Sequence, residues 1–113
     1  MHEVGIAQSI LDIAVENALN NRAEVINKIH LKIGRLAAVE NDALLFAFDA
    51  LKEDTIAENA LLEIEDIPIK GRCTDCEHED IYDEIFFSCK KCGSYKVEQL
   101  TGEELNITEI EVD

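Results

Sequence analysis

Apolar positions change their period along this chain, and the changes outline its elements. From Glu3 to Asn20 they fall at Val4, Ala7, Ile10, Leu11, Ala14, Ala18 and Leu19, steps of three and four that trace one helical stripe. Gln8, Asp12, Glu16 and Asn17 fall mainly on the other side, and Asn20 with Asn21 supplies a stop. Residues 25–36 switch to period two. Ile29, Leu31 and Ile33 alternate with Lys28, His30 and Lys32, which predicts a strand with one buried face, His30 exposed, and Gly34 ending or bulging it. A second helix is expected from Asp42 to Lys52, with Leu44, Phe48 and Leu51 on its stripe. Asn41 is its expected N-cap, because an asparagine oxygen can accept from the orphan amides of a first turn. Residues 61–69 and 105–112 read as strands again. In each the alternation slips phase once, near Asp66–Ile67 and near Thr108–Ile110, as a matched pair of bulges would produce.

Between these last two strands the pattern lapses. Residues 70–97 hold all four cysteines and both tyrosines and lack helical stripes, and the one proline, Pro68, stands just before them, where a strand can end. The expected fold is therefore α+β, a small mixed three-stranded sheet with two helices, interrupted by a four-cysteine, zinc-ribbon-like module. Residues 1–69 plus 98–113 form one domain in this reading, and residues 70–97 form the inserted one.

Composition narrows the function. Ten Lys and Arg stand against 25 Asp and Glu, a net charge of −15, which disfavours phosphate contacts and docking on an anionic membrane. No stretch is long and apolar enough to span a bilayer, and the first residues, MHEVGIAQSI, lack the basic-then-apolar order of a secretory signal. The expected location is the cytoplasm, where thiols stay reduced and four cysteines point to a metal rather than to disulfides.

Cys73, Cys76, Cys89 and Cys92 spell C-x2-C-x12-C-x2-C. Two residues between cysteines let a tight turn aim both sulfurs at one point, and two such turns joined by a hairpin complete a tetrahedron of thiolates suited to Zn(II). Four cysteines close the metal's shell, so the expected zinc is structural rather than catalytic. Gly93, directly after Cys92, takes positive φ easily; Glu77 occupies the matching place in the first turn with less ease. His78 reads as a solvated neighbour of this site.

The amino terminus offers a second donor set. The amine of Met1, the backbone nitrogen of His2 and the His2 imidazole Nδ1 can close two fused chelate rings, and the amide of Glu3 or a carboxylate completes a planar set suited to Ni(II) or Cu(II). MHE at the terminus, the helix beginning VGIAQSIL, the strand KIGRL, the FAFDAL helix, GRCTDC…CKKCGS and the closing GEELNITEIEVD together resemble the hydrogenase nickel-insertion chaperones of the HypA/HybF family over essentially the whole chain. That resemblance implies a non-enzymatic nickel metallochaperone with two metal sites. Nickel is the cargo, held by Met1, His2 and Glu3, with Glu40 as the carboxylate that follows the first strand; zinc is held by Cys73, Cys76, Cys89 and Cys92. The implied partners are the nickel-handling GTPase HypB, the hydrogenase large subunit and, in some bacteria, urease accessory proteins, with the chaperone itself a monomer or weak homodimer.

Two other functions compete. Nucleic-acid-binding zinc ribbons use the same cysteine spacing, but residues 70–98 carry five basic against seven acidic side chains. Nucleotide kinases can carry such an insert too, yet the chain has no G-x-x-x-x-G-K-[ST] loop, and its three histidines, His2, His30 and His78, fall in different elements.

Overall fold

The computed structural model describes residues 2–83 and 88–113. They form α1 (Glu3–Asn20), β1 (Ile26–Gly34), a 3-10 turn (Arg35–Ala37), α2 (Asn41–Leu51), β2 (Leu61–Ile67), β3 (Ile69–Cys73), β4 (Glu79–Tyr82), β5 (Val97–Thr101) and β6 (Leu105–Val112). Two compact units divide the chain. Unit 1 comprises residues 1–32, 39–65 and 106–113, and unit 2 comprises residues 33–38 and 66–105.

In unit 1, α1 buries Ala7, Ile10, Leu11, Ala14 and Ala18, the small side chains letting α2 approach closely. Its end is made by the Asn21 amide, which donates to the Asn17 and Ala18 carbonyls, and by Arg22 at φ +59°. Helix α2 buries Leu44, Ala47 and Phe48. Asn41 is its first residue, not its cap. The cap is Glu40, whose longer side chain folds back so that its Oε1 accepts from the Asp42 amide at 3.0 Å.

One sheet has the order β2-β1-β6. Lys28 and His30 reach Glu63, while His30 and Lys32 reach Glu65, so partners advance together and β2 runs parallel to β1. Val25 and Asp113 exchange backbone hydrogen bonds at the other edge, placing the end of β6 beside the start of β1 and making that pair antiparallel. The sheet is mixed, with α2 on the crossover between its parallel strands. Ile29 and Leu31 lie on its buried face, and Ile26 is buried at the start of β1. His30 is not simply exposed: its side chain is 28% accessible and lies between the two glutamates.

Unit 2 is built on an antiparallel sheet of order β4-β3-β5, with a register shift between Lys70 and Gly71. Because β5 pairs with β3, this unit extends past residue 97. It also takes in Gly34, where a Cβ would meet the Gly102 carbonyl oxygen at 2.1 Å, so only glycine fits. Strand β1 ends at that contact. The phase slip in the β2 pattern is present as half-buried Leu62 and Ile64 followed by Ile67, and it falls where the chain passes from unit 1 into unit 2. In β6 the half-buried pair is Ile107 and Ile110.

Candidate metal centre

Strand β3 delivers Cys73 at its end, and the turn that follows returns the chain to β4. The Glu77 amide donates to the Cys73 carbonyl, and the Cys73 amide donates to the His78 carbonyl, both at 2.9 Å. The second knuckle repeats this: the Gly93 amide donates to the Cys89 carbonyl at 2.9 Å and the Cys89 amide to the Ser94 carbonyl at 2.7 Å. Each knuckle needs a left-handed residue directly after its second cysteine. Gly93 supplies φ +77°, whereas Glu77 is held at +65° with a side chain attached.

The four sulfurs of Cys73, Cys76, Cys89 and Cys92 all lie within 4.8 Å of one another. Cys73 Sγ and Cys92 Sγ are 3.6 Å apart, and Cys76 Sγ and Cys89 Sγ 3.5 Å. A tetrahedron with bonds of about 2.3 Å has edges of about 3.8 Å, so the cluster is sized for one zinc-like ion. The electrostatics agree. The Cys92 and Lys91 amides donate to Cys89 Sγ at 3.5 and 3.4 Å and hold that thiol down at about 6. The Ser94 amide favours the Cys92 thiolate, but desolvation and the three other sulfurs outweigh it and push that thiol up to about 12. Four thiolates cannot crowd together without a cation between them, and a divalent ion removes the conflict.

Several of the charges around the sulfurs are paired. Lys70 reaches Glu79 at 3.4 Å, Arg72 reaches Glu77 at 3.4 Å, and His78 Nε2 lies 3.1 Å from Asp80. Lys90 donates to the Ile81 carbonyl and sits 5.0 Å above the Tyr82 ring. With Lys70, Arg72 and Lys90 engaged by carboxylates, a carbonyl and an aromatic ring, and acidic side chains outnumbering basic ones over residues 70–98, the ribbon is poorly suited to phosphate, which weighs against the nucleic-acid reading.

The residues expected to hold nickel are distributed as follows. Met1 lies outside the described residues. His2 is exposed at the N-cap of α1 in an extended conformation, makes no side-chain capping bond, and is followed by Glu3 as the first helical residue. His2 and Glu3 line one end of an open groove in unit 1 with Val4, Ala43 and Phe46. Glu40 is engaged through Oε1 at the start of α2. Phe46, which is 79% exposed on this groove, escaped the sequence reading. Its place off the Leu44–Phe48–Leu51 stripe was the available signal.

A sequence model of the family described as "Hydrogenase/urease nickel incorporation, metallochaperone, hypA" matches residues 1–112. The chain is 42% identical to the hydrogenase maturation factor HypA of Nostoc punctiforme over 113 residues, all of this chain and 96% of that one. It is 39% identical to the protein of the same name from Campylobacter jejuni, with 95% of each chain covered. Among solved structures, the Ni metallochaperone HypA from Helicobacter pylori matches with a TM-score of 0.68 at 27% identity, covering 99% of this chain and 97% of that one. A second solution structure of a HypA protein matches with a TM-score of 0.72, also at 27% identity. With a whole-length family match and a four-thiolate cluster of zinc dimensions, this chain belongs to the HypA family of nickel-incorporation metallochaperones.

Proposed function

We propose that this chain carries Ni(II) for hydrogenase maturation, binding it at the amino terminus and holding a structural Zn(II) in the ribbon of unit 2. The carrying observation is the family match from residue 1 to residue 112, which includes the terminal Met-His-Glu as well as the four cysteines. Cys73, Cys76, Cys89 and Cys92 form a closed shell, which suits a permanent ion, and zinc there supplies charge balance and cross-linking without redox chemistry. Nickel needs a site it can leave. The Met1 amine, the His2 backbone nitrogen and imidazole Nδ1, and the Glu3 amide offer nitrogen donors at an exposed helix start, with the Glu40 carboxylate as a further candidate. Release then proceeds by ligand exchange inside a protein complex. The GTPase HypB and the hydrogenase large subunit are the proposed partners, and urease maturation a further destination, consistent with the family's description.

Nickel titration of untagged protein, His2→Ala and a variant with residues added before Met1 tests the site. The native terminus should bind with planar-complex absorbance, and both variants should lose that species while keeping their zinc. Equal nickel binding by all three overturns the terminal site. Protons compete with Ni(II) for nitrogen donors, so affinity should fall as pH falls.

A further inference from the structure

Helices α1 and α2 of unit 1 leave two open grooves along their seam. One, of about 510 Å³, is walled by Val4, Ala43, Phe46 and Ala47. The other, of about 660 Å³, has Leu11, Val15 and Ile56 along its floor and Asp12, Glu16 and Asp54 at its rim. Leu51 lines both, so the two adjoin at that residue. On α1, Val4, Gln8, Leu11, Val15 and Leu19 follow in steps of three and four and share one side of the helix. Val4 is 63% exposed, Leu19 58% and Phe46 79%, large apolar surface left open by the described residues. Apart from His2, every ionisable residue among the described ones lining the two grooves is acidic: Glu3, Asp12, Glu16 and Asp54.

We propose that this seam docks an amphipathic helix of a partner protein, with an apolar face against Phe46 and Leu19 and lysines or arginines along its flanks. The walls are helices whose backbone groups are already bonded, so an added strand has no edge to extend, whereas a helix needs only side-chain packing. The acidic rim selects basic flanks, because carboxylates facing carboxylates are repelled. The same rule disfavours a second copy of this chain, which carries a charge of −15 and would set Asp12 and Glu16 against their own kind. Docking here requires no metal, so a failed nickel titration leaves it untouched.

The test is titration of the full-length, zinc-loaded, ¹⁵N-labelled protein with a synthetic peptide of Leu and Lys in helical period, and with its counterpart carrying Glu for Lys. The Lys peptide should shift amides of α1 and α2 and bind about tenfold more weakly to Phe46→Ser, an exposed position whose change should leave the melting temperature unaltered. The double variant Asp12→Asn, Glu16→Gln should bind about threefold more weakly, and the loss should shrink as salt is raised. Equal binding of the Glu peptide, shifts confined to other elements, or unaltered affinity in Phe46→Ser would each overturn the proposal. So would self-association of the peptide-free protein that Phe46→Ser abolishes, since the occupant would then be a second copy.

Discussion

Unit 1 buries Ile26, Ile29, Leu31, Leu44 and Phe48, together with Ala7, Ala14 and Ala18 of α1. The buried apolar set described in unit 2 is Ile33, Ile69, Tyr82 and two of the metal-ligand cysteines, Cys73 and Cys89. The first unit is ordered by area removed from water, the second by sulfur converging on one point. Hydrophobic burial is spread over many residues and fails gradually. Metal ligation is concentrated, and of order 10 kcal/mol in small zinc modules, so it fails all at once.

Stripping the ion breaks this comparison most sharply. Chelation, or Cys73→Ser, should collapse the amide dispersion of β3, β4 and β5 while the helical circular dichroism of α1 and α2 persists, read by ¹⁵N correlation spectra beside zinc stoichiometry. A chelated protein that keeps the β3–β5 resonances in place would show that unit 2 has a sufficient core after all. Phe48→Ala is the reciprocal experiment. Phe48 is fully buried, and truncating such a ring costs about 3–5 kcal/mol. Unit 1 should then melt at much lower denaturant while zinc remains bound to unit 2, and simultaneous loss of both would show that the units fold as one.

The contrast also explains what the residue pattern revealed. Elements held by apolar periodicity were legible: α1 appears at Glu3–Asn20 as expected, and β6 at Leu105–Val112. The four-sulfur cluster was legible too, because knuckle spacing is a local property. Contacts set by longer reach were not. Glu40 rather than Asn41 caps α2 because a longer side chain can fold back, and propensity favours the shorter residue. His30 lies between Glu63 and Glu65 because β2 returns parallel to β1, a pairing that period-two alternation does not specify. The joining of β5 to β3 rests on pairing between distant segments, which the cysteine spacing does not encode.

Within unit 2 the two knuckles form a smaller comparison. Glu77 holds φ +65° at the place where Gly93 holds +77°. Glu77→Gly relieves the crowding of a side chain in the left-handed region, offset by a freer unfolded chain and by loss of the 3.4 Å pair with Arg72, which is exposed. The net gain should be at most about 1 kcal/mol, and Gly93→Ala should cost a similar amount. Competition for zinc with a chromophoric chelator reads both. A Glu77→Gly protein that holds zinc less tightly would mean that the freer unfolded chain and the lost Arg72 pair together outweigh the strain.

The smallest expected effect lies on the polar face of the unit 1 sheet and marks the other side of the comparison, since it involves no sulfur. Lys28 Nζ lies 3.2 Å from Glu63 Oε1, and His30 Nδ1 lies 3.3 Å from Glu63 Oε2. Hydrogen bonds from Lys28 first, and then from His30, hold the Glu63 carboxyl below its ordinary value of 4.5. A carboxylate whose acidity is strengthened by folding contributes stability above its unfolded value, and that contribution disappears as pH falls through the folded one. Glu63→Gln should therefore weaken unit 1 slightly at neutral pH and leave it level with the parent once pH drops below the ordinary carboxylate range. Both partners are exposed enough for salt to shrink the difference. Urea titrations followed on α1 and α2 resonances, at each pH and at two salt concentrations, separate this from metal loss, which is read on β3 to β5. A Glu63→Gln deficit that grows in acid would place the interaction elsewhere than in this carboxylate's charge.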